Sequence, residues 1–190
     1  MKRLSLYLFL VLFTLQTSSQ ADDIRDFQIE GMSIGDSLLD YFSEEEIKEN
    51  TYTEVYPNQK YYVVEFVQLQ SFNIFDNLVT NIEVNDSNYT IESVGGTIFF
   101  LKNMNNCYKK QKEIVKELSN FFEDPDIVYE DLQKHTADKS GKSKYKQTNF
   151  WLKSGGLAVV ACTKWSKEIT DKYGWTDNLN LSLRTEKFND

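Results

Sequence analysis

The sequence predicts an α+β fold in which helices pack on one face of an antiparallel sheet. Helical spacing of apolar residues opens each half of the chain, and three segments with strand character follow each time. Because the strands follow one another without intervening helices, a parallel sheet of βαβ units is not expected. We therefore predict a single domain over 22–190, made of two α-β-β-β repeats at about 22–104 and 105–190.

The first half opens with two helix start signals. Ser33 can cap a helix, and Asp36 three residues later completes a capping-box pattern. The acidic residues after Ser43 repeat this signal and predict a second short helix that continues to Glu49. The apolar residues that follow the first signal at helical spacing are Ile34, Leu38, Leu39 and Phe42.

Three strands are predicted after this helical start. Residues 61–69 are rich in β-branched and aromatic side chains, and residues 77–85 alternate between apolar and polar. Residues 89–101 read as a third strand, in which Gly95 and Gly96 predict a bulge or a sharp bend. Three strands in succession indicate an antiparallel meander.

The second half repeats the order of helix and strands. An amphipathic helix is predicted over 107–122, with Ile114, Leu118 and Phe122 in its apolar stripe, and Pro125 ends it. A polar connector follows. Three more strands are then predicted, at 145–153, 157–165 and 178–185.

The first 21 residues have the pattern of a secretory signal peptide. Lys2 and Arg3 precede an apolar run of about a dozen residues, and Ser19-Gln20-Ala21 resembles a cleavage site. This run is shorter than the roughly 20 apolar residues that span a bilayer, although an uncleaved anchor is the alternative. We expect cleavage after Ala21, export to the periplasm and no membrane span in the mature chain.

The charge of the chain excludes one class of partner. The formal net charge is −8, and removal of the leader would make the chain more acidic still. Generic nucleic-acid binding depends on lysine and arginine that neutralise phosphates, so it is not expected. An acidic chain of this kind suits a soluble monomer or a partner with a basic face, such as another periplasmic protein.

The two cysteines, Cys107 and Cys162, predict one disulfide bond. An exported protein with two cysteines commonly joins them, because the compartments outside the cytoplasm are oxidising. The alternative is two separately buried thiols. One histidine and two bridged cysteines are too few ligands for a zinc site, and the scattered carboxylates lack the spacing of a calcium loop. We predict no metal and no cofactor.

The segment HTADKSGKSK, residues 135–144, holds the only histidine of the chain. It ends like a phosphate-binding loop, but Thr136 stands where that loop needs a glycine, and no helix follows. Three interpretations stay open: a solvated connector, an anion-binding loop that extends to residue 146, and an active site with His135 as base. The candidate ligand-binding residues are His135, Asp138, Ser140 and Lys142; no catalytic residue is assigned.

Aromatic side chains make up 14% of the chain, and many fall in predicted strands. Core packing accounts for part of them, yet a sheet covered on one face must expose others, and exposed Tyr and Trp are typical of interaction surfaces. An open sheet face with Tyr, Trp and Lys is thus the best candidate for a binding surface. Trp165 and Trp175 belong to this set.

Two resemblances add to these observations. The segment DFQIEGMSIGDSLLDYFSEEEI, residues 26–47, is similar to the start of uncharacterised exported proteins of streamlined marine alphaproteobacteria, which implies a periplasmic address and no activity. The element order and the opening at 29–33 also resemble the tandem α+β halves of β-lactamase-inhibitor-like proteins and of the small outer-membrane-assembly lipoprotein. This second resemblance implies two related half-domains.

The function expected from the sequence is that of an exported periplasmic binding or interaction module without catalytic activity. The alternatives are a small periplasmic hydrolase that uses His135 and a small-anion binder that uses the 135–146 loop.

Overall fold

The computed structural model describes residues 23–53, 59–69, 71–101 and 103–189, so the predicted leader at 1–21 lies outside the described residues. The described part contains four α-helices and nine β-strands. The helices are α1 (Glu44–Glu49), α2 (Met104–Phe121), α3 (Lys167–Tyr173) and α4 (Glu186–Asn189). The strands are β1 (Thr51–Tyr52), β2 (Tyr61–Val67), β3 (Asn77–Glu83), β4 (Ile91–Phe99), β5 (Asp126–Tyr129), β6 (Gln133–Lys134), β7 (Lys144–Trp151), β8 (Leu157–Lys164) and β9 (Asn178–Arg184).

All nine strands belong to one antiparallel sheet, which confirms the predicted α+β class. The strand order is β1-β2-β3-β4-β9-β8-β7-β5, and β6 pairs with β7. The meander β2-β3-β4 from the first half and the meander β7-β8-β9 from the second half meet at the pair β4–β9, which runs from Ser93↔Arg184 to Phe99↔Asn178. None of the helices in the described ranges is long and apolar enough to cross a membrane.

The core lies on one face of this sheet, under α1 and α2. Alternate strand residues such as Val64, Val94 and Leu181 point into it, together with Ile47 of α1 and Leu118 of α2. Each of these side chains is removed from water, which is the main favourable term in folding. Helix α4 lies on the other face, where the ring of Phe188 packs on Tyr61 at 4.9 Å between centroids. The expectation that the helices share one face therefore holds for α1 and α2 but not for α4.

The first predicted helix does not form, and only a 3₁₀ turn at Leu38–Asp40 is found there. Ser33 N–H donates to Asp36 Oδ2 at 2.9 Å, which is half of a capping box. The backbone then pairs with the start of β4 instead of coiling, because Gly35 N–H donates to Ile91 O at 2.9 Å. Gly35 has a φ of +89°, which helical residues do not adopt. The second start signal is genuine: Ser43 and Glu46 form a full capping box at α1.

The polar connector predicted between 123 and 144 contains the short strands β5 and β6. Ile127 faces the core side, whereas Val128 and Tyr129 are exposed at the edge of the sheet. An edge strand is paired on one side only and needs little apolar alternation, so its sequence carries a weak signal.

The bulge predicted at Gly95 and Gly96 lies elsewhere. The register between β3 and β4 shifts opposite Asn81 and Ile82, so the extra residue is Glu92, while both glycines are regularly paired. Gly96 instead makes room for a side chain, because a Cβ atom there would lie 2.4 Å from Cγ of the Phe75 ring. The glycine is therefore a packing requirement of the core face.

Gly96→Ala is expected to lower the free energy of unfolding by about 1–3 kcal/mol, because the added methyl group overpacks the contact with Phe75. Urea unfolding of the two proteins measures the difference. In a double-mutant cycle, shortening Phe75 to Leu should reduce the cost of Gly96→Ala. Strictly additive losses would show that the ring is not the obstacle.

The predicted disulfide between Cys107 and Cys162 is present. It joins α2 to β8 across the core, with a Cα–Cα distance of 6.1 Å and a sequence separation of 55. Beside it, the buried Gln111 of α2 donates from Nε2 to the carbonyl oxygens of Lys146 and Val160, each at 2.9 Å. The helix is thus attached to β7 and β8 by a covalent bond and by polar contacts that the apolar stripe did not predict.

Candidate functional site

The face of the sheet opposite the core carries a polar cleft that crosses six strands. Its floor is a cross-strand row in which each residue is the register partner of the next: Val67, Asn77, Thr97, Asn180, Ala161 and Gln147. Neighbouring strands lie about 4.8 Å apart, so this row is about 24 Å long.

A second row flanks the floor on each side. Nearer α3 lie Phe99, Asn178, Thr163 and Tyr145. On the other side lie Glu65, Val79, Gly95, Ser182, Val159 and Asn149. We call the surface over these three rows the polar cleft, because amide and hydroxyl side chains dominate it.

Two adjoining cavities lie over the polar cleft. One has a volume of about 370 Å³ and extends toward β7, and the other has a volume of about 360 Å³ and extends toward β2. They share Thr97, Trp165 and Asn178, so they lie side by side on the same face of the sheet. Trp165 also lines a third cavity of about 720 Å³ beside the start of α2. The charged side chains of Lys164, Lys167 and Asp171 are among the residues that line this third cavity.

A continuous group of five aromatic rings borders the polar cleft, and we call it the aromatic wall. The His135 ring lies 5.6 Å from Tyr145 and 4.3 Å from Trp165, measured between centroids. Trp165 lies 4.6 Å from Trp175, which stacks on Tyr173 at 5.1 Å with an angle of 27° between the rings. The wall therefore joins residues from the β6–β7 connection and from the β8–β9 connection.

The β8–β9 connection folds back on itself because its helix has strong signals at both ends. Ser166 caps the start of α3, and Gly174 ends it in the left-handed conformation with a φ of +73°. Asp177 Oδ1 then accepts the backbone N–H of Trp165 at 2.8 Å. Trp165 precedes α3 in the chain and Trp175 follows it, and these contacts hold the two rings against each other.

The segment 135–144 braces this connection. The carboxylate of Asp138 accepts Ser140 N–H at 2.9 Å, Ser143 N–H at 2.8 Å and the Ser143 hydroxyl at 2.7 Å. The Ser143 hydroxyl oxygen in turn accepts the N–H of Ser166, the cap of α3, at 2.9 Å. Hydrogen bonds from Ser140 and Ser143 lower the pKa of Asp138 well below its usual range. Asp138 is thereby a structural centre of the loop.

The other predicted ligand residues are also engaged by protein groups. Lys142 forms an ion pair with Glu168 of α3, and the Ser140 hydroxyl oxygen accepts Lys142 N–H at 3.3 Å. Of the four predicted residues, only His135 contributes to the lining of the polar cleft. The hypothesis that the loop binds an anion stays a prediction.

The environment of His135 assigns its protonation state. Nδ1 accepts the N–H of Ala137 at 3.2 Å, so the proton of the neutral imidazole is on Nε2. Burial lowers the pKa of His135, and the negative charge of Asp138 opposes this shift in part. At neutral pH the ring is then an uncharged hydrogen-bond donor in the aromatic wall. A general base would need a free Nε2 lone pair, which this tautomer does not offer.

The stability of the protein is expected to fall as the pH falls through the ordinary histidine pKa of 6.5, because the folded state holds the pKa of His135 below that value. The unfolded chain takes up its proton near the ordinary pKa of 6.5, whereas the folded chain does so only at lower pH. Thermal unfolding across this range measures the slope.

His135→Phe is the matched control, because it keeps a ring against Trp165 and removes the titration; its slope should be smaller. Since His135 is the only histidine, its imidazole NMR signal reports the pKa directly. A measured pKa above 6.5 would contradict the burial argument.

Several buried polar atoms of the polar cleft and the aromatic wall have no hydrogen-bond partner within the described residues. They are Trp165 Nε1, Asn77 Oδ1, Asn149 Oδ1 and Ser182 Oγ. Buried polar atoms normally have a partner, so such a cluster on one face calls for a reason. Each of these atoms is closed off from solvent, so a ligand would reach it only after the side chain moves.

The sequence predicted Trp165 and Trp175 as part of a binding surface, but it did not predict the amide and hydroxyl side chains of the polar cleft. It also expected lysines on the open face, and among the described residues that line the two cleft cavities there is none. A signal was present: the outward positions of β9 are Asn178, Asn180 and Ser182, not charged residues. Asparagine and serine are ordinary surface residues, so these positions indicate an outward face without charge and do not by themselves identify a binding site.

Within the described part of the chain, no group of three or more histidine, cysteine, aspartate or glutamate side chains could hold a metal ion. Neither a family model nor a curated protein nor a solved structure matches this chain.

Proposed function

We propose that this chain is an exported binding module without catalytic activity, and that the polar cleft is its ligand-binding surface. The observation that carries the proposal is the position of Trp165, which lines both cleft cavities and contacts the rings of His135 and Trp175 in the aromatic wall. Binding sites are typically concave, with aromatic walls and a few placed polar groups.

The chemistry of the cleft favours binding over catalysis. Among the described residues that line the two cavities, His135 and Glu65 are the side chains that could act as acid or base near neutral pH. Glu65 already accepts the Asn77 amide N–H at 2.6 Å, and His135 is held as a donor. Amides and hydroxyls recognise a ligand through hydrogen bonds without transferring protons at neutral pH.

Export to the periplasm is part of the proposal. The leader pattern at 1–21 and the resemblance to exported proteins both support it. The disulfide between Cys107 and Cys162 is also compatible with an oxidising compartment. Fractionation of cells that produce the full chain, with N-terminal sequencing of the mature protein, should find it in the periplasm starting after Ala21. Cytoplasmic protein with an intact start would contradict this.

Ligand capture tests the binding role. The mature chain and its Asn180→Ala variant are immobilised, exposed to a periplasmic extract, and the bound proteins, glycans and small molecules are identified by mass spectrometry. The wild-type protein should retain a component that Asn180→Ala loses. Lys109→Ala, on the exposed side of α2, is the control and should retain it. Equal retention by Asn180→Ala would place binding elsewhere, and conversion of the retained molecule would indicate an enzyme.

We further propose that the halves at 22–104 and 105–190 are related α-β-β-β units. The order β2-β3-β4 followed by β9-β8-β7 is the arrangement that two such units joined at their last strands would give. Helices α1 and α2 lie on the core side of their respective meanders. Superposition of β2, β3 and β4 on β7, β8 and β9 should also bring α1 near α2; a misplaced helix would contradict the proposal.

A further inference from the structure

We infer that the polar cleft binds a neutral oligosaccharide. This inference rests on the proposed function, since it names the chemical class of ligand for the same surface. It follows from the charge, the aromatic surface, the polar groups and the length of the polar cleft.

The polar cleft is nearly free of charge in a strongly charged protein. Charged residues make up 26% of the chain, with a net charge of −8. Yet among the described residues that line the two cavities, Glu65 is the one side chain that is charged at neutral pH, since burial keeps His135 neutral. A phosphate, a nucleic acid or an acidic peptide would find no cation there to pair with. The lining suits a ligand without net charge.

The aromatic wall offers flat surfaces to such a ligand. Trp175 is 41% exposed and Tyr173 is 50% exposed, although their rings stack on each other. Large apolar groups exposed side by side on a protein surface mark sites of interaction. A sugar ring presents one face made of C–H groups, which packs on an indole or phenol ring while its hydroxyls stay at the rim.

The floor of the polar cleft matches those hydroxyl groups. A sugar hydroxyl is both a donor and an acceptor, and an amide side chain supplies both functions at a fixed spacing. Asn77, Asn180 and Gln147 lie in one cross-strand row, with Thr97 between the first two. Asn77 and Trp165 both line the cavity that extends toward β2, so the floor and the wall each contribute a polar side chain to the same cavity.

The dimensions of the polar cleft favour a chain of sugars over a single ring. The row from Val67 to Gln147 crosses six strands, about 24 Å at the usual strand spacing. The two cavities meet at Thr97 and Asn178, so a linear ligand could occupy both.

A peptide of neutral side chains fits this surface less well. Extended peptides bind sheets by adding to an edge, where unpaired backbone N–H and C=O groups are available. The polar cleft lies across the centre of the sheet, where strands β3, β4, β9 and β8 are paired on both sides. Only side chains are available there, and those side chains are suited to hydroxyl groups.

The experiment is titration of the mature protein with neutral oligosaccharides, followed by tryptophan fluorescence and calorimetry. The probes are hexamers of β-linked glucose, of α-linked glucose and of N-acetylglucosamine, with a neutral Ser/Asn/Gly peptide of similar length alongside. Two of the three tryptophans belong to the aromatic wall, so binding should change the emission. At least one hexamer should bind, and the corresponding monosaccharide should bind more weakly.

The variant Trp175→Ala should weaken that binding by about tenfold or more, because it removes the stacking surface. Trp151→Ala is the matched control, since Trp151 is exposed at the far end of β7 and should change the affinity by about twofold or less. Asn180→Ala repeats the test without altering an aromatic ring. The thermal midpoint of each variant shows that a loss of binding is not a loss of folding.

The inference is overturned if none of the hexamers binds, whether or not the peptide binds. The capture experiment keeps the two proposals apart. If Asn180→Ala loses a captured component that is not a glycan, the polar cleft is a binding surface and only the oligosaccharide assignment fails. If a hexamer binds Trp175→Ala and Asn180→Ala as tightly as it binds the wild-type protein, the polar cleft is not its binding site.

Discussion

Replacing Cys107 and Cys162 together by alanine is expected to lower the free energy of unfolding by about 2–5 kcal/mol. The bond joins α2 to β8 over a sequence separation of 55. Without the bond the unfolded chain can adopt many more conformations, whereas the folded chain cannot, so the unfolded state becomes more favourable. In the folded state, both residues are fully buried in the core, so alanine also removes their packing contacts.

Thermal and urea unfolding measure this change, and the midpoint should fall by roughly 10 °C for a chain of this size. Reducing agent provides the control: it should destabilise the wild-type protein by a similar amount and leave the double variant unchanged. If reduction affects both proteins equally, the effect is not due to the bond. A double variant within about 1 kcal/mol of the wild type would contradict the prediction.

Phe122→Ala is expected to cost about 3–5 kcal/mol, because it empties a fully buried position at the end of α2. The Phe122 ring lies 5.2 Å from Phe121, 6.2 Å from Phe27 and 6.3 Å from Phe150, between centroids. It therefore connects the helix to β7 and to the segment before β1. Phe122 is the C-cap with extended backbone angles, so alanine does not alter the helix itself.

Urea unfolding of two further variants separates the cavity from other effects. Phe122→Leu should lose less stability than Phe122→Ala, since it leaves a smaller cavity. Phe121→Ala is the matched control, because the neighbouring ring is only partly buried and should cost clearly less. Equal losses for Phe121→Ala and Phe122→Ala would mean that burial does not set the cost at this end of the helix.

The sequence located six of the strands and the long helix because their signals are local. The β-branched and aromatic residues at 61–67 and the apolar alternation at 77–83 are each visible within a few residues. The pairing of Cys107 with Cys162 followed from their number and from the expected compartment. The helix predicted at Ser33 failed because its backbone pairs with residues 89–91, more than fifty positions away.

The candidate site was harder to predict from the sequence for the same reason. The segment 135–144 attracted attention because His135, Asp138 and Lys142 are close in sequence, yet two of them serve to brace α3. The row from Asn77 to Asn180 joins residues that are far apart in the chain and become neighbours only by strand register. The uncharged outward positions of NLNLSL are a local signal, but they do not show which residues of the other strands complete the floor.

The sequence by itself determined the α+β class, the antiparallel strands, the disulfide and the amphipathic helix α2, because each depends on periodicity or on residue type. The tertiary structure decided the junction of β4 with β9, the role of Gly96 and the assembly of the aromatic wall. These features depend on which distant residues meet, and the free energy of such contacts is a property of the packed chain that no short segment contains.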